Sequence, residues 1–197
     1  MTASRTDTVH TPPPATARPG RAVTLLGAAT ALACLAFAAV NIAFESTGDF
    51  LDGTDYAAYA DGFTVMNWLV VALKLAGAAT ALLSIHPRPR PRAVPAVALA
   101  LWGAFATLGV YALGSLTQAI TMAATDTDRI DAAGTAYVLG FLLAATGFGI
   151  LAAAWSRRHH LNRRLALLGA LAAPAVLGTV LLAAPAILAA LGMLPAA

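Results

Sequence analysis

The sequence predicts an all-α fold, a polytopic transmembrane helical bundle of about five spans. Three observations carry that prediction. Of 197 residues, 59% are hydrophobic and only 11% charged, where an ordinary soluble domain carries roughly a quarter charged residues. The mean hydropathy of +0.76 makes lipid the natural solvent for most of the chain. The charges fall in short groups between long apolar runs, and the groups alternate between basic and acidic.

Residues 1–20 read as a disordered tail and residues 21–197 as the bundle. The tail places Pro12, Pro13, Pro14 and Pro19 among small polar residues, too little apolar surface to offset the entropy of ordering. The first span covers residues 22–44 and carries no charge. At 1.5 Å per residue it crosses about 30 Å of hydrocarbon. It runs well past any small-residue cleavage site, which argues against a signal peptide. The letters ALAC ending at Cys34 faintly resemble a lipoprotein cleavage box, but Ala31 stands where Leu is usual and the apolar run continues beyond.

An acidic loop with Asp49, Asp52, Asp55 and Asp61 leads to the second span, residues 63–85. The turn HPRPRPR, beginning at His86, follows; its alternating prolines bar helix continuation and favour an extended connection. The third span, residues 93–123, exceeds what a perpendicular helix needs and predicts tilt or projection beyond the bilayer. Asp126, Asp128, Arg129 and Asp131 form a second acidic loop before the fourth span, residues 135–156. A basic connection with Arg157, Arg158, His159, His160, Arg163 and Arg164 precedes the last span, residues 165–194. Pro174 and Pro185 interrupt that segment, so it reads either as one kinked span or as a hairpin. One span is favoured, because no polar turn residues lie between the prolines and membrane helices tolerate proline.

With five spans, the tail and the second and fourth connections share one side. That side holds Arg5, Arg18, Arg21, Arg88, Arg90, Arg92, Arg157, Arg158, Arg163 and Arg164, ten of the twelve basic residues. The other side holds Glu45 and seven aspartates, eight of the nine acids. Basic loops stay in the cytoplasm, so the expected location is the plasma membrane, multi-pass, with the N-terminus cytoplasmic and the C-terminus outside. Trp155 suits an interfacial aromatic at the inner face, and Trp68 one at the outer.

Composition also excludes functions. The pI of about 9.5 does not point to nucleic acid, because the basic residues line no single helix or patch. A lone cysteine makes no intrachain disulfide and no Cys-rich metal site. No histidine lies in a span, which removes haem ligation by paired membrane histidines. The aspartate spacing does not match a calcium loop. No nucleophile elbow, phosphate loop or metalloprotease motif is present. The expected cofactor set and metal set are therefore empty.

Lys74 is the residue that such a bundle must explain. It stands eleven residues from Phe63 and from Ile85, about 16 Å from either end of its span. A cation at that depth is unfavourable by about 2.5–3.5 kcal/mol on insertion scales, and such groups tend to face the bundle interior and mark a site or pathway. Its alternative role is a structural lysine donating to backbone carbonyls or hydroxyls. Asn67, seven residues earlier, shares nearly the same helix face. Tyr111 and Gln118 have the same spacing on the third span, and Asn41 and Glu45 lie four apart on the first. Lys74, Asn67, Tyr111, Gln118 and Glu45 are the candidate binding residues, a polar vestibule in the outer half. The rival role is interhelical hydrogen-bond glue at about 0.6–2 kcal/mol per contact, favoured for Asn41 and Gln118. Small residues four apart, as at Gly27 and Ala31 or Gly77 and Ala81, let helices approach closely.

The stretch NWLVVALKLAGAATALLSIHPRPRPRAVP, residues 67–95, and the stretch LWGAFATLGVYALGSLTQAITM, residues 101–122, together resemble an uncharacterised actinobacterial family of multi-pass membrane proteins, a domain of unknown function. The triplet of Ala72, Leu73 and Lys74 is the most specific part. The resemblance implies a small helical membrane protein and adds weight to Lys74; it implies no activity. The leading expectation is a bundle that binds or transports a small molecule around Lys74. The alternatives are an intramembrane enzyme acting on a lipid or isoprenoid, with Glu45 or a loop aspartate as acid, and a scaffold subunit. Beyond the lipid bilayer, the small-residue faces suit a membrane-protein partner or a second copy of the chain.

Overall fold

The computed structural model describes residues 18–47, 60–125 and 132–192. The greater part of the expected tail, the loop residues Asp49, Asp52, Asp55, Asp126, Asp128, Arg129 and Asp131, and residues 193–197 lie outside these ranges. The fold is an all-α bundle, and the described residues contain no strand. Its five long helices are α1 (Arg21–Thr47), α2 (Ala60–Ile85), α3 (Ala93–Thr125), α4 (Ala132–Arg158) and α5 (Arg163–Ala190). Each is long and apolar enough to cross a membrane, and the chain is consistent with an integral membrane protein. Outward-facing Leu25, Leu32, Leu143 and Leu171 are each about 70% exposed, as lipid-facing side chains are.

The helices alternate in direction. Gly27, near the start of α1, faces Ile85 and the Ala81 carbonyl near the end of α2. The Trp155 indole, near the end of α4, donates to the Val94 carbonyl at the start of α3 over 3.1 Å. Gly169 lies against Leu99, and Gly103 against Ala173, so α3 and α5 run parallel. The described arginines therefore gather at one end of the bundle, from Arg18 and Arg21 to Arg163 and Arg164, and Glu45 stands toward the other. The last segment is one helix through Pro174 and Pro185 rather than a hairpin. Asn162 starts it: its side-chain oxygen accepts the Arg164 amide at 3.0 Å, satisfying one of the free amides of a first turn.

α1 packs on α2, and α3 carries both α4 and α5; α4 bridges the two groups through α1. The α1–α2 contact has a seven-residue period. Gly27, Ala31, Cys34, Ala38, Asn41 and Glu45 line one helix, and Thr64, Asn67, Val71, Lys74, Ala78, Ala81 and Ile85 line the other. Alternating steps of four and three keep one face turned to its partner along the contact.

The buried core lies toward the basic end. Leu101, Phe148, Leu151 and Trp155 are at most 1% exposed and pack with Ala81, Ala98 and Ala152. Trp155 is thus a core residue and not an aromatic displayed at the membrane surface. Its ring is covered by the Arg158 guanidinium, 4.6 Å from the ring centroid. Arg158 in turn donates to the Ser84 carbonyl at 2.9 Å, tying α4 to the end of α2. The Trp102 indole donates to the Ser156 hydroxyl at 3.0 Å. Trp68 is 50% exposed on α2.

Candidate functional site

The α1–α2 face changes character along its length. At the basic end it is built from small apolar residues, whereas past Lys74 it becomes polar. Lys74 Nζ donates to Asn41 Oδ1 and, at 3.5 Å, to the Phe37 carbonyl. Asn41 Nδ2 donates to Asn67 Oδ1 at 2.7 Å. Asn67 Nδ2 donates to Glu45 Oε2 at 2.9 Å and to the Asn41 carbonyl at 3.1 Å. Thr64 Oγ1 donates to the other oxygen of Glu45. The result is a continuous seam from a cation to a carboxylate, Lys74–Asn41–Asn67–Glu45–Thr64.

Its polarity is ordered. Each amide turns its oxygen toward the lysine and its nitrogen toward the glutamate, so both dipoles lie along the field between the charges. Reversing one amide would set donor against donor. Aligned hydrogen bonds polarise one another in a low-dielectric interior, and the opposite charges offset much of what a lone cation would cost in hydrocarbon. Among the described residues no buried side-chain nitrogen or oxygen lacks a partner.

Lys74 also stands 5.4 Å from the centroid of the Phe37 ring, a cation–π distance. Phe37 lies 6.3 Å from Phe141, and Phe141 lies 4.5 Å from Tyr111. Gly140 makes room for Phe37, whose ring tip would stand 3.2 Å from a Cβ placed there. Aromatic contacts thus connect the seam to α4 and α3. Lys74 is half-buried. An ammonium has three N–H donors, and only two of those on Lys74 meet protein acceptors among the described residues.

The structure brings Lys74, Asn67 and Glu45 into one seam, Asn67 bonding Glu45 directly and Lys74 joining them through Asn41. Tyr111 is linked to them through the Phe141 and Phe37 rings, and it is 48% exposed. Gln118 is exposed and takes no part in the seam. The reason is which helix packs where: α3 turns toward α4 and α5, and touches α2 only lightly. Asn41, expected to be glue, is the hub between Lys74 and Asn67. Sequence reasoning missed Phe37 and Thr64. The spacing contained the signal, since Phe37, Asn41 and Glu45 lie four apart, and Thr64 is three before Asn67.

Among the described residues no group of three or more His, Cys, Asp or Glu side chains is placed to hold a metal ion. Comparisons with family models, with curated proteins and with solved structures find no match for the chain.

Proposed function

We propose that the protein is a small-molecule binding or transport-type membrane bundle centred on Lys74. The observation that carries this reading is the half-buried ammonium with a donor that meets no acceptor among the described residues, at the inner limit of a polar seam. Such a group suits a ligand with an acceptor oxygen, a carboxylate or a carbonyl, entering from the end where Glu45 lies. Asn41 and Asn67 supply exchangeable donors and acceptors along the way. The charge distribution supports a plasma-membrane location with the basic end, and hence the N-terminus, in the cytoplasm; the seam then opens outward. Reporter fusions after residue 124 and after residue 197 test this, and cytoplasmic reporter activity at residue 197 would overturn it.

The enzyme alternative is less well supported, because Glu45 reaches Lys74 only through two amides and not as a contacting acid–base pair. The scaffold alternative draws on the Phe37 carbonyl, a backbone acceptor of the kind a structural lysine uses. Lys74→Met separates the readings. The full chain in micelles is screened for thermal stabilisation by short carboxylates and by quinones. Stabilisation of the parent chain that disappears in a folded Lys74→Met variant is the expected result. If the variant is more stable, responds identically and restores a deletion strain fully, Lys74 is glue.

A further inference from the structure

At the basic end a cleft of about 310 Å³ opens between the start of α1, the end of α2 and the last turns of α4. Its floor is apolar, formed in part by Val23, Leu151 and Trp155. Three arginines line it, Arg18, Arg157 and Arg158. Arg158 is held in place by the Ser84 carbonyl, by His159 Nε2 at 3.2 Å and by the Trp155 ring. Those contacts engage Nε and Nη2 and leave Nη1 without a protein acceptor among the described residues. Arg18 and Arg157 are exposed. No described carboxylate faces them, since Glu45 lies near the far end of α1 and Asp61 at the far end of α2.

Three cations around an apolar floor match an amphipathic anion. Guanidinium groups bind phosphate oxygens in pairs, and basic pockets between membrane helices take acidic headgroups. A free phosphate ion would use the rim and leave the floor idle. A zwitterionic lipid would bring its own cation to a site already rich in them. We propose that this cleft holds one anionic phospholipid, its phosphate among Arg18, Arg157 and Arg158 and the head of an acyl chain along Val23.

The test counts lipids retained by the full chain in native mass spectrometry. Phosphatidylglycerol and phosphatidylcholine are offered in turn, and glycerol phosphate is added as a water-soluble competitor. The expected result is one phosphatidylglycerol retained in preference to phosphatidylcholine and not displaced by glycerol phosphate. The double variant Arg18→Gln/Arg157→Gln should weaken retention about thirtyfold, from the attraction that each basic residue contributes beside an anionic lipid. Among the described residues neither side chain makes a hydrogen bond, so the variant tests the site without disturbing the Arg158 tie. Arg163→Gln/Arg164→Gln, at the same end but outside the cleft, should change retention less than about twofold. Equal retention of phosphatidylcholine, displacement by glycerol phosphate, or equal weakening by the two double variants would each overturn the proposal.

Discussion

The two halves of the bundle meet one problem with different chemistry. Apolar helices in an apolar solvent gain little from burying more apolar surface, so association rests on close packing and on hydrogen bonds. The half at the basic end uses packing. Gly27, Ala31, Ala78 and Ala81 bring α1 and α2 together, and Trp155, Phe148, Leu151 and Leu101 fill the space beside them. The other half uses hydrogen bonds, through the seam from Lys74 to Glu45. A packed core offers no polar groups to exchange with a ligand. A hydrogen-bonded half can exchange its partners, which is why the functional reading falls there.

Four measurements break or sharpen that contrast. Trp155→Ala should have the largest effect, about 3–5 kcal/mol, because it empties the packed half and removes the bond to Val94. Denaturant unfolding in micelles measures it, and a loss below about 1 kcal/mol would mean that the core does not lie there. Gly169→Val comes next. A Cβ at Gly169 would stand 2.8 Å from the Leu99 carbonyl oxygen and 3.1 Å from its Cα. Neither backbone atom can move aside alone, so α5 should loosen from α3 at about 1–3 kcal/mol. Proteolysis of the C-terminal helix, unchanged by the substitution, would contradict this.

Asn67→Leu should cost less, about 1–2 kcal/mol, by stripping Glu45 and Asn41 of an amide partner. The sharper readout is a double-mutant cycle with Asn41→Leu. Additive losses would show that the two amides do not work as one seam. The smallest effect concerns pH at the basic end. Burial, reinforced by Arg158 and then His160, pushes the His159 pKa below its ordinary value. The folded state therefore favours neutral His159, whose Nε2 accepts from Arg158. Its contribution is fully present above about pH 6.5 and is lost as pH falls through the lowered folded value. The Tm should decline on acidification below about pH 6.5, and His159→Gln should flatten that part of the profile.

Much of this fold was readable in the sequence because lipid imposes strong rules. Long uncharged runs become helices, since unpaired backbone groups in hydrocarbon are costly, and five such helices are present. Lys74, Asn67 and Glu45, the residues of the polar seam, were readable because polar side chains in or beside apolar runs are conspicuous. Gln118 was equally conspicuous, yet it is exposed on α3. Spacing along one helix reports a shared face, but it does not report which neighbour that face meets. Trp155 shows the same limit: its position beside Arg157 suited a surface aromatic, and packing against α3 made it core.

The sequence by itself determined the helices, the gathering of basic charge at alternate connections and the depth of Lys74, because each follows from local hydropathy and 1.5 Å of rise per residue. Only the tertiary structure decided that Asn41, and not Tyr111 or Gln118, meets the lysine, that α5 rests on α3, and that Arg18 joins the distant pair Arg157 and Arg158 at one cleft. Those outcomes depend on which small-residue faces interlock, and interlocking is a property of pairs of helices that no single segment carries.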